Sequence, residues 1–242
     1  MRVPRLYVDA PLQNGLEVEL AGAVANHCVR VLRLKPGARL TLFNGRGGEF
    51  SAHLVLVEKR RATALLDEWH EREVESPLQV EIAQCISRGE RMDYTVQKVV
   101  ELGASGITPI IAERTVVNLK GERAEKRRLH WQGVVVSACE QSGRNRIPAV
   151  QPLIHFKQWV NQPREGLKLV LHHRAAQEMR NMTRPKKGVT LLIGPEGGLS
   201  EQEIRLAEQA GFVSVCLGPR VLRTETAALS TLSLLQLLWG DF

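Results

Sequence analysis

The hydrophobic and polar positions follow two different patterns, and the change between them falls near residue 72. Up to that point, short segments alternate apolar and polar residues in the manner of half-buried strands. Residues 39–58 predict a hairpin, because Asn44-Gly45 and Gly47-Gly48 supply turn residues between β-rich flanks. A short helix within 21–37 and a strand over 61–70 complete this part. We therefore expect a small β-barrel over residues 1–72.

The charged stretch 70–77, which ends in Pro77, predicts a domain boundary. Beyond it, apolar runs of strand length alternate with segments of helical period, which is typical of a mostly parallel α/β sheet. Strands are predicted at 78–86, 106–112, 167–173, 189–194 and 212–218, and helices at 91–103, 121–143, 200–211 and 224–240. The last helix is apolar on nearly all sides, so we expect it to be buried either within one subunit or in a dimer interface. Residues 73–242 form the second predicted domain.

The composition narrows the classes of partner. The chain has 242 residues with 33 Lys+Arg and 26 Asp+Glu, a formal net charge of +7. This basic surplus favours a polyanionic partner, whereas 5% aromatic residues argue against single-strand binding on several stacking platforms. The four cysteines include no C-x-x-C pair, which argues against a zinc site and a disulfide framework. With no signal-peptide pattern and no membrane-length apolar run, we expect a cytoplasmic protein without metal or membrane contact.

A glycine loop joins a predicted strand to a predicted helix at residues 191–204, LLIGPEGGLSEQEI. Many proteins hold phosphate with this arrangement. Here the lysine of a Walker loop is absent, and Pro195-Glu196 breaks the dinucleotide fingerprint. Ser200 and Glu203 also have capping-box spacing, which occupies the free N–H groups of the helix. The loop alone is consistent with a structural turn or with a site for another ligand.

Residues 216–229, CLGPRVLRTETAAL, repeat this design, with Gly218-Pro219 after a strand and Thr224 as the predicted helix cap. Two such loops after neighbouring strands would lie side by side at the carboxyl edge of the sheet, where α/β proteins bind ligands. Residues 171–175, after another strand, supply a third wall. Such loops can enclose an adenosine through backbone groups, with apolar side chains around the base from Ile193, Leu217, Val221 and Leu222.

Five segments together point to a family: IGPEGGLSEQE, LGPRVLRTETAAL, SRGERMDYTVQKVVELG, ERTVVNL and CEQSGRNRIP. With RVPRLYV near the start, the chain resembles, over essentially its whole length, the SPOUT methyltransferases that methylate N3 of a uridine in 16S ribosomal RNA (the ribosomal RNA small subunit methyltransferase E family). The resemblance implies an N-terminal PUA-like β-barrel for RNA binding and a C-terminal α/β domain with a deep trefoil knot. It also implies a homodimer, S-adenosylmethionine as cofactor, and 16S ribosomal RNA or the assembled small ribosomal subunit as partner.

Carried over residue by residue, the resemblance assigns the methyl-donor site to the loops after three strands. The candidate cofactor-binding residues are Leu171, His172, Ile193, Gly194, Pro195, Glu196, Gly197, Gly198, Leu217, Gly218, Arg220, Val221, Leu222, Arg223, Thr226 and Ala227.

Uridine N3 carries a proton and is a weak nucleophile until that proton leaves, so the reaction calls for a base and for stabilisation of charge on O2 and O4. Glu196 and Glu225 are the carboxylates nearest to the predicted pocket, and Arg220 and Arg223 are the nearest cations. These four are the candidate catalytic residues. The alternatives are that Glu225 complements the helix dipole and that Arg223 pairs with a carboxylate and only holds the loop.

Basic and amide side chains near the ends of elements suit phosphate and base contacts, although a solvated surface gives the same pattern. The candidate RNA-binding residues are Arg2, Arg5, Arg30, Arg33, Arg88, Arg91, Arg144, Asn145 and Arg146. Cys139 is expected to be a small buried side chain, since N3 methylation needs no covalent enzyme intermediate. His172-His173 lack a third ligand at metal-binding spacing.

Two other functions stay open on the sequence. One is a non-catalytic RNA-binding or ribosome-assembly factor that keeps the pocket, and the other is a SPOUT methyltransferase with another RNA target. A nucleotide hydrolase is disfavoured because the glycine loop has no lysine.

Overall fold

The computed structural model describes residues 3–175, 177–179 and 182–242, which form two compact units. Unit 1 consists of Met1–Glu75 and Cys139–Ile147, and unit 2 of Ser76–Ala138 and Pro148–Phe242. The sequence pattern predicts a single division near residue 72 and gives no sign of the segment that returns to unit 1. The assignment of RNA binding to residues 1–72 and of methyl transfer to 73–242 stays a prediction.

Unit 1 contains a five-stranded sheet in the order β1-β3-β4-β5-β2. Its strands are β1 (Arg5–Tyr7), β2 (Glu17–Leu20), β3 (Arg39–Phe43), β4 (Glu49–Val57) and β5 (Ala62–His70). β1 pairs with β3 in parallel, and the other pairs are antiparallel. Two irregularities in the pairing of β4 with β5 help to curl the sheet. Within the described residues its edge strands do not pair with each other, so the expected small β-barrel is observed as a curled half-barrel.

The hairpin expected over residues 39–58 is confirmed as β3 and β4. Gly45, Gly47 and Gly48 all have positive φ in the turn, a conformation that glycine adopts without strain. The expected short helix is α1 (Gly22–Asn26), which continues as a π-helical turn over His27–Val31. The apolar side of the sheet and of this turn forms the core of unit 1, with Cys28 fully buried.

Unit 2 contains a parallel sheet in the order β11-β13-β10-β12-β6-β7-β8, with β9 also paired to β7. Every pairing among these strands is parallel, which confirms the predicted parallel α/β sheet. The strands are β6 (Val80–Cys85), β7 (Gly106–Ile111), β8 (Ala149–Val150), β9 (Ile154–His155), β10 (Leu167–Leu171), β11 (Gln177–Glu178), β12 (Val189–Ile193) and β13 (Val213–Cys216). Because β10 lies between β12 and β13, the strands before the two Gly-Pro loops are not direct neighbours, contrary to expectation.

The helices of unit 2 cover both faces of this sheet. They are α2 (Glu90–Glu101), α3 (Gly121–Ser142), α4 (Phe156–Val160), α5 (Glu201–Gln209) and α6 (Thr224–Trp239), and α3 enters unit 1 at Cys139. Apolar residues of α4 and α5 pack in one cluster with Ala83 and Cys85 of β6. Helix α6 packs against α2, β6 and β12. Over the described ranges, each helix is too short or too polar to cross a membrane.

Helix α6 is anchored within unit 2 by a buried amide. Gln236 Oε1 accepts a hydrogen bond from Ser76 Oγ at 2.6 Å, and its Nε2 donates to the Leu102 carbonyl at 2.9 Å. The helix also buries Leu232, while Leu237 stays 64% exposed. Burial within one subunit therefore accounts for one side of this apolar helix and leaves another side uncovered.

The turn after α2 yields a prediction about stability. Gly103 has φ +88, and a Cβ there would lie 2.6 Å from Gln236 Nε2. We expect Gly103→Ala to lower the free energy of unfolding by at least about 1 kcal/mol, because it adds backbone strain and displaces the buried amide. The measurement is urea denaturation followed by circular dichroism.

Gly133→Ala is the matched control for this substitution. Gly133 lies within α3 and a Cβ there meets no atom within 4 Å. Alanine should therefore stabilise the helix by about 0.5–1 kcal/mol. Unchanged stability of Gly103→Ala would contradict the anchoring role of Gln236.

Candidate functional site

Three loops of unit 2 surround a cavity of about 520 Å³. They follow β13, β10 and β12, which are consecutive in the parallel sheet, so the loops meet at its carboxyl edge. The cavity lining includes all of the sequence-predicted cofactor residues except Thr226. The further lining residues are Arg91, Arg114, His173, Leu199, Ile204, Val215, Cys216, Thr224 and Glu225.

The loop after β12 is a tight turn in which close packing favours glycine at two positions and a positive φ favours it at a third. The Gly198 N–H donates to the Pro195 carbonyl at 2.8 Å, and Gly198 has φ +68. A Cβ on Gly194 would lie 3.0 Å from the Leu199 nitrogen, and one on Gly197 would lie 3.3 Å from Arg114 Cβ. The loop therefore exposes backbone to the cavity at positions where a side chain would be crowded or would strain the backbone.

The helix after this loop has its N-terminus closed by its own side chains. Ser200 Oγ accepts from the Glu203 N–H at 3.3 Å, and Glu203 Oε2 accepts from the Ser200 N–H at 2.9 Å. This confirms the predicted capping box. A phosphate at this helix end would have to displace the Glu203 carboxylate, so the geometry favours a ligand held by the loops instead.

Three arginines contact the loop after β12 and hold it in place. Glu196 Oε1 accepts from the Arg88 N–H at 2.9 Å and from Arg91 Nη1 at 3.4 Å. Arg114 Nη1 donates to the Gly197 carbonyl at 3.0 Å. Glu196 is thus engaged in fixing the loop to the start of α2, and Arg114 fixes it to the segment after β7.

The side chain of Thr224 contacts both the loop after β12 and strand β6. Its Oγ1 donates to the Gly194 carbonyl at 2.7 Å and accepts from Gln84 Nε2 at 2.9 Å. The prediction that Thr224 caps α6 is wrong, because Arg223 has the extended backbone of the N-cap and Thr224 is the first helical residue. The hydroxyl links the loop before α6 to the loop after β12 and to β6.

Glu225 brings an uncompensated carboxylate oxygen to the cavity. Its Oε2 is buried and has no hydrogen-bond partner among the described residues. Arg220 and Arg223 are exposed and line the same cavity, and neither side chain forms a hydrogen bond or ion pair with any described part of the chain. The alternative in which Arg223 pairs with Glu196 or Glu225 is therefore not observed. A buried unpaired oxygen is costly, so it indicates a group that a ligand would satisfy.

The two histidines beside the cavity do not form a metal site with other described residues. Their rings meet edge to face with centroids 5.4 Å apart. The backbone N–H of His172 donates to the Val215 carbonyl at 3.0 Å. Burial, and then the neighbouring His173, lower the pKa of His172 below its usual value. His172 therefore contributes a neutral ring to the wall at neutral pH.

The candidate RNA-binding residues fall into two groups. Arg30, Arg33, Arg88, Arg91 and Arg146 are exposed, and two of them are also paired, Arg91 with Glu196 at 3.4 Å and Arg146 with Glu73 at 2.9 Å.

The second group is built into unit 1. Arg5 binds the Glu49 carboxylate and donates to Asn145 Oδ1 at 2.8 Å. Arg144 is buried and paired with Glu75. These contacts give Arg5, Arg144 and Asn145 a structural role in place of the expected exposed one. Arg2 lies outside the described residues.

Cys139 is buried in unit 1, and burial raises the pKa of its thiol to about 12. A thiol with this pKa stays protonated at neutral pH and is a poor nucleophile. Its position agrees with the expectation of a small structural side chain.

Sequence reasoning missed Arg114, Gln84 and the linking role of Thr224. Arg114 follows β7 at the same sheet edge as the loops, so its position after a predicted strand was an available signal. Gln84 is a polar residue within the otherwise apolar end of β6, which is the pattern of a buried hydrogen-bonding group. The partner of Thr224 lies 30 residues away, and no local pattern identifies it.

Comparison with known proteins identifies both parts of the chain. Residues 74–236 match an RNA methyltransferase domain, and residues 20–67 match an RNA methyltransferase PUA domain. The ribosomal RNA small subunit methyltransferase E of Bacillus subtilis is 36% identical over 236 residues, which is 92% of each chain. The protein of that name from Buchnera aphidicola (Schizaphis graminum) is 33% identical over 241 residues, 99% of this chain and 98% of the relative.

Two solved structures are similar over the full length of both chains. The ribosomal RNA small subunit methyltransferase E of Neisseria gonorrhoeae, bound to S-adenosylmethionine, is 42% identical with a TM-score of 0.93. A Legionella pneumophila protein, described as a methyltransferase with its cofactor S-adenosylmethionine, is 42% identical with a TM-score of 0.97. The chain therefore belongs to the RNA methyltransferase family that includes the ribosomal RNA small subunit methyltransferases E.

Proposed function

We propose that this protein transfers a methyl group from S-adenosylmethionine to N3 of a uridine in the 16S ribosomal RNA of the small ribosomal subunit. The observation that carries the proposal is the backbone-lined cavity at the sheet edge, with the buried, unpaired Oε2 of Glu225 in its wall. Relatives that span nearly the whole chain are small subunit methyltransferases, and similar structures were solved with this cofactor. The choice of N3 and of uridine comes from the resemblance of the sequence motifs.

The residues of the cavity suit S-adenosylmethionine. Its volume of about 520 Å³ lies in the usual range for small-molecule sites. We expect the loops 194–198 and 217–223 to bind the adenosine through backbone groups, with Leu171 and His172 beside them. Ile193 and Leu222 provide apolar surface for the base. Thr226 is left out of this proposed lining.

The four candidate catalytic residues are proposed to have three different roles. The bound cofactor supplies a methyl group from a positively charged sulfur. Once the methyl group is transferred, this sulfur is part of a neutral thioether. Glu225 accepts the N3 proton of the uridine, and the electron pair left on N3 forms the new bond to the methyl carbon. Arg220 and Arg223, whose side chains have no described partner, stabilise the negative charge that develops on O2 and O4. Glu196 holds the loop and is not the base, because its Oε1 is already bound by Arg88 and Arg91.

RNA is proposed to contact the exposed cations near the site and on the half-barrel. Arg88 and Arg91 lie at the start of α2, beside the loop that Glu196 holds, and Arg30 and Arg33 are exposed on unit 1. Since such contacts are with phosphate, binding should weaken steeply as salt concentration rises. Binding that is insensitive to salt would argue against this surface.

A homodimer and a deep trefoil knot are part of the same proposal, as is a cytoplasmic site of action. The exposed Leu237 on the otherwise buried helix α6 supports a second subunit on that side. The position of β10 between β12 and β13, with α6 packed back on β12 and β6, supports the knot. Sedimentation equilibrium at the mass of one chain, 27.0 kDa, would exclude the dimer.

The assignment predicts a specific loss of modified nucleoside. In a strain lacking the protein, 3-methyluridine should disappear from 16S ribosomal RNA, and expression of the intact chain should restore it. The measurement is mass spectrometry of nucleosides from purified small subunits. Full retention of 3-methyluridine in that strain would reject the proposed substrate. Full restoration of 3-methyluridine by the Glu225→Gln variant would reject the proposed chemistry.

The two carboxylates should respond differently to substitution. We expect Glu225→Gln to lower kcat by about 100-fold or more while KM for S-adenosylmethionine stays near the original value, because the amide cannot accept the proton. Glu196→Gln should instead raise that KM and leave kcat largely unchanged, because it loosens the loop. Methyl transfer from labelled cofactor to small subunits gives both constants. If Glu225→Gln altered only KM, Glu225 would be a cofactor contact and not the base.

A further inference from the structure

Unit 2 has a second cavity, of about 660 Å³, that the methyltransferase site does not use. It lies on the face of the sheet that also carries α4, over β6, β7 and β12. Its floor includes Glu81, Thr108 and Thr190, one from each of these strands. The segment after α4 and the loop between β8 and β9 form its sides. None of its lining residues belongs to the first cavity.

A carboxylate is held at the floor of this cavity without a partner. The side chain of Glu81 forms no hydrogen bond or ion pair within the described ranges, although the residue pairs with Thr190 and Gly106 in the sheet. A Cβ on Gly106 would lie 2.4 Å from Glu81 Oε2, so the carboxylate packs directly over the backbone of that glycine. Burial raises the pKa of Glu81, and the charge of Arg164 opposes this effect. The Glu81 residue as a whole is exposed, so its carboxylate is only partly desolvated, has no direct cation and is accessible to a ligand.

A guanidinium group is fixed at the side of the same cavity. Arg164 stacks on Trp159 at 3.9 Å from the ring centroid. Its Nη1 and Nη2 donate to the carbonyl and to Oε1 of Gln162 at 2.9 and 3.1 Å. Two of its five N–H groups are used in this way, which leaves donors for another acceptor. Arg164 and Glu81 interact electrostatically but form no direct ion pair.

A carboxylate and a guanidinium that are each fixed, and that do not reach one another, match a ligand with both charges. Such a ligand places a cation against Glu81 and an anion against Arg164. Apolar side chains of Pro152, Leu153 and Ile154 line the remaining wall. A nucleotide fits less well, because it offers Glu81 no ammonium group and because Arg164 already covers a face of Trp159.

We propose that this second cavity binds a free α-amino acid with an aliphatic side chain. Its ammonium group contacts Glu81, its carboxylate contacts Arg164, and its side chain lies against Leu153 and Ile154. The hydroxyl groups of Thr108 and Thr190 are placed to complete the polar contacts on the floor. The proposal concerns a site separate from methyl transfer and does not depend on the function proposed above.

The test is isothermal titration calorimetry of the full chain with L-leucine. Saturable binding with one site per chain is expected. N-acetyl-L-leucine, which lacks the ammonium group, and L-leucinamide, which lacks the carboxylate, should each bind at least about tenfold more weakly. Absence of leucine binding at millimolar concentration, or equal affinity for the three compounds, would overturn the proposal.

Variants connect each charge of the ligand to one residue. Glu81→Gln should weaken leucine binding about tenfold or more and abolish the preference for leucine over N-acetyl-L-leucine. Arg164→Gln should abolish the preference for leucine over leucinamide. Glu165→Gln is the matched control, because Glu165 lines the same cavity but pairs with Lys187 at 2.5 Å. Equal effects of Glu81→Gln and Glu165→Gln would reject the assigned contact, and the modified ligands test the intact chain even if a variant fails to fold.

Discussion

The hydroxyl group of Thr224 provides the interaction on which the proposed methyl-donor site most depends. It binds the Gly194 carbonyl and the Gln84 amide at once, and so joins the loop before α6 to the loop after β12 and to β6. β10 separates the two strands that precede these loops, so the strand pairing itself does not bring the loops together. A buried hydroxyl with two partners is worth about 1–3 kcal/mol when removal leaves those partners unpaired.

Other contacts also hold the loop after β12 in place. Arg114 binds the Gly197 carbonyl, and Glu196 binds the start of α2, so the loop is held from both sides. Fixed backbone groups need no reorganisation when a ligand arrives, which is the physical basis of a preorganised site. Glu225 differs from Glu196, because one of its carboxylate oxygens is buried and has no described hydrogen-bond partner. The difference between the two glutamates follows from their surroundings and not from residue type.

Local signals made much of unit 2 predictable. The period of apolar residues predicts strand 189–194, observed as Val189–Ile193, and the spacing of Ser200 and Glu203 predicts the capping box. β8, β9 and β11 have two residues each, which is too short to show any period. The insertion of β10 between β12 and β13 is a long-range choice of pairing that spacing along the chain does not encode.

In the candidate site, too, local features could be predicted and long-range contacts could not. The meeting of the glycine loops at one sheet edge could be predicted from the strand pattern, whereas most of their lining residues were implied by the resemblance to the methyltransferase family. The separate roles proposed for Glu196 and Glu225 could not be predicted, since only Glu196 is bound by Arg88 and Arg91, which lie more than 100 residues away in the chain. Similarly, Arg5 and Arg144 look like surface cations in the sequence, and only the fold pairs them with Glu49 and Glu75.

The role of the Thr224 hydroxyl is tested most directly by the affinity of the Thr224→Val and Thr224→Ser variants for S-adenosylmethionine. This affinity is determined by calorimetry on the folded proteins. Valine keeps the shape of the side chain but removes the hydroxyl, so we expect about tenfold weaker binding or more. Serine keeps the hydroxyl and should bind the cofactor nearly as well as the original chain. Equal affinity of the valine variant and the original chain would contradict the claim that this hydroxyl holds the site together.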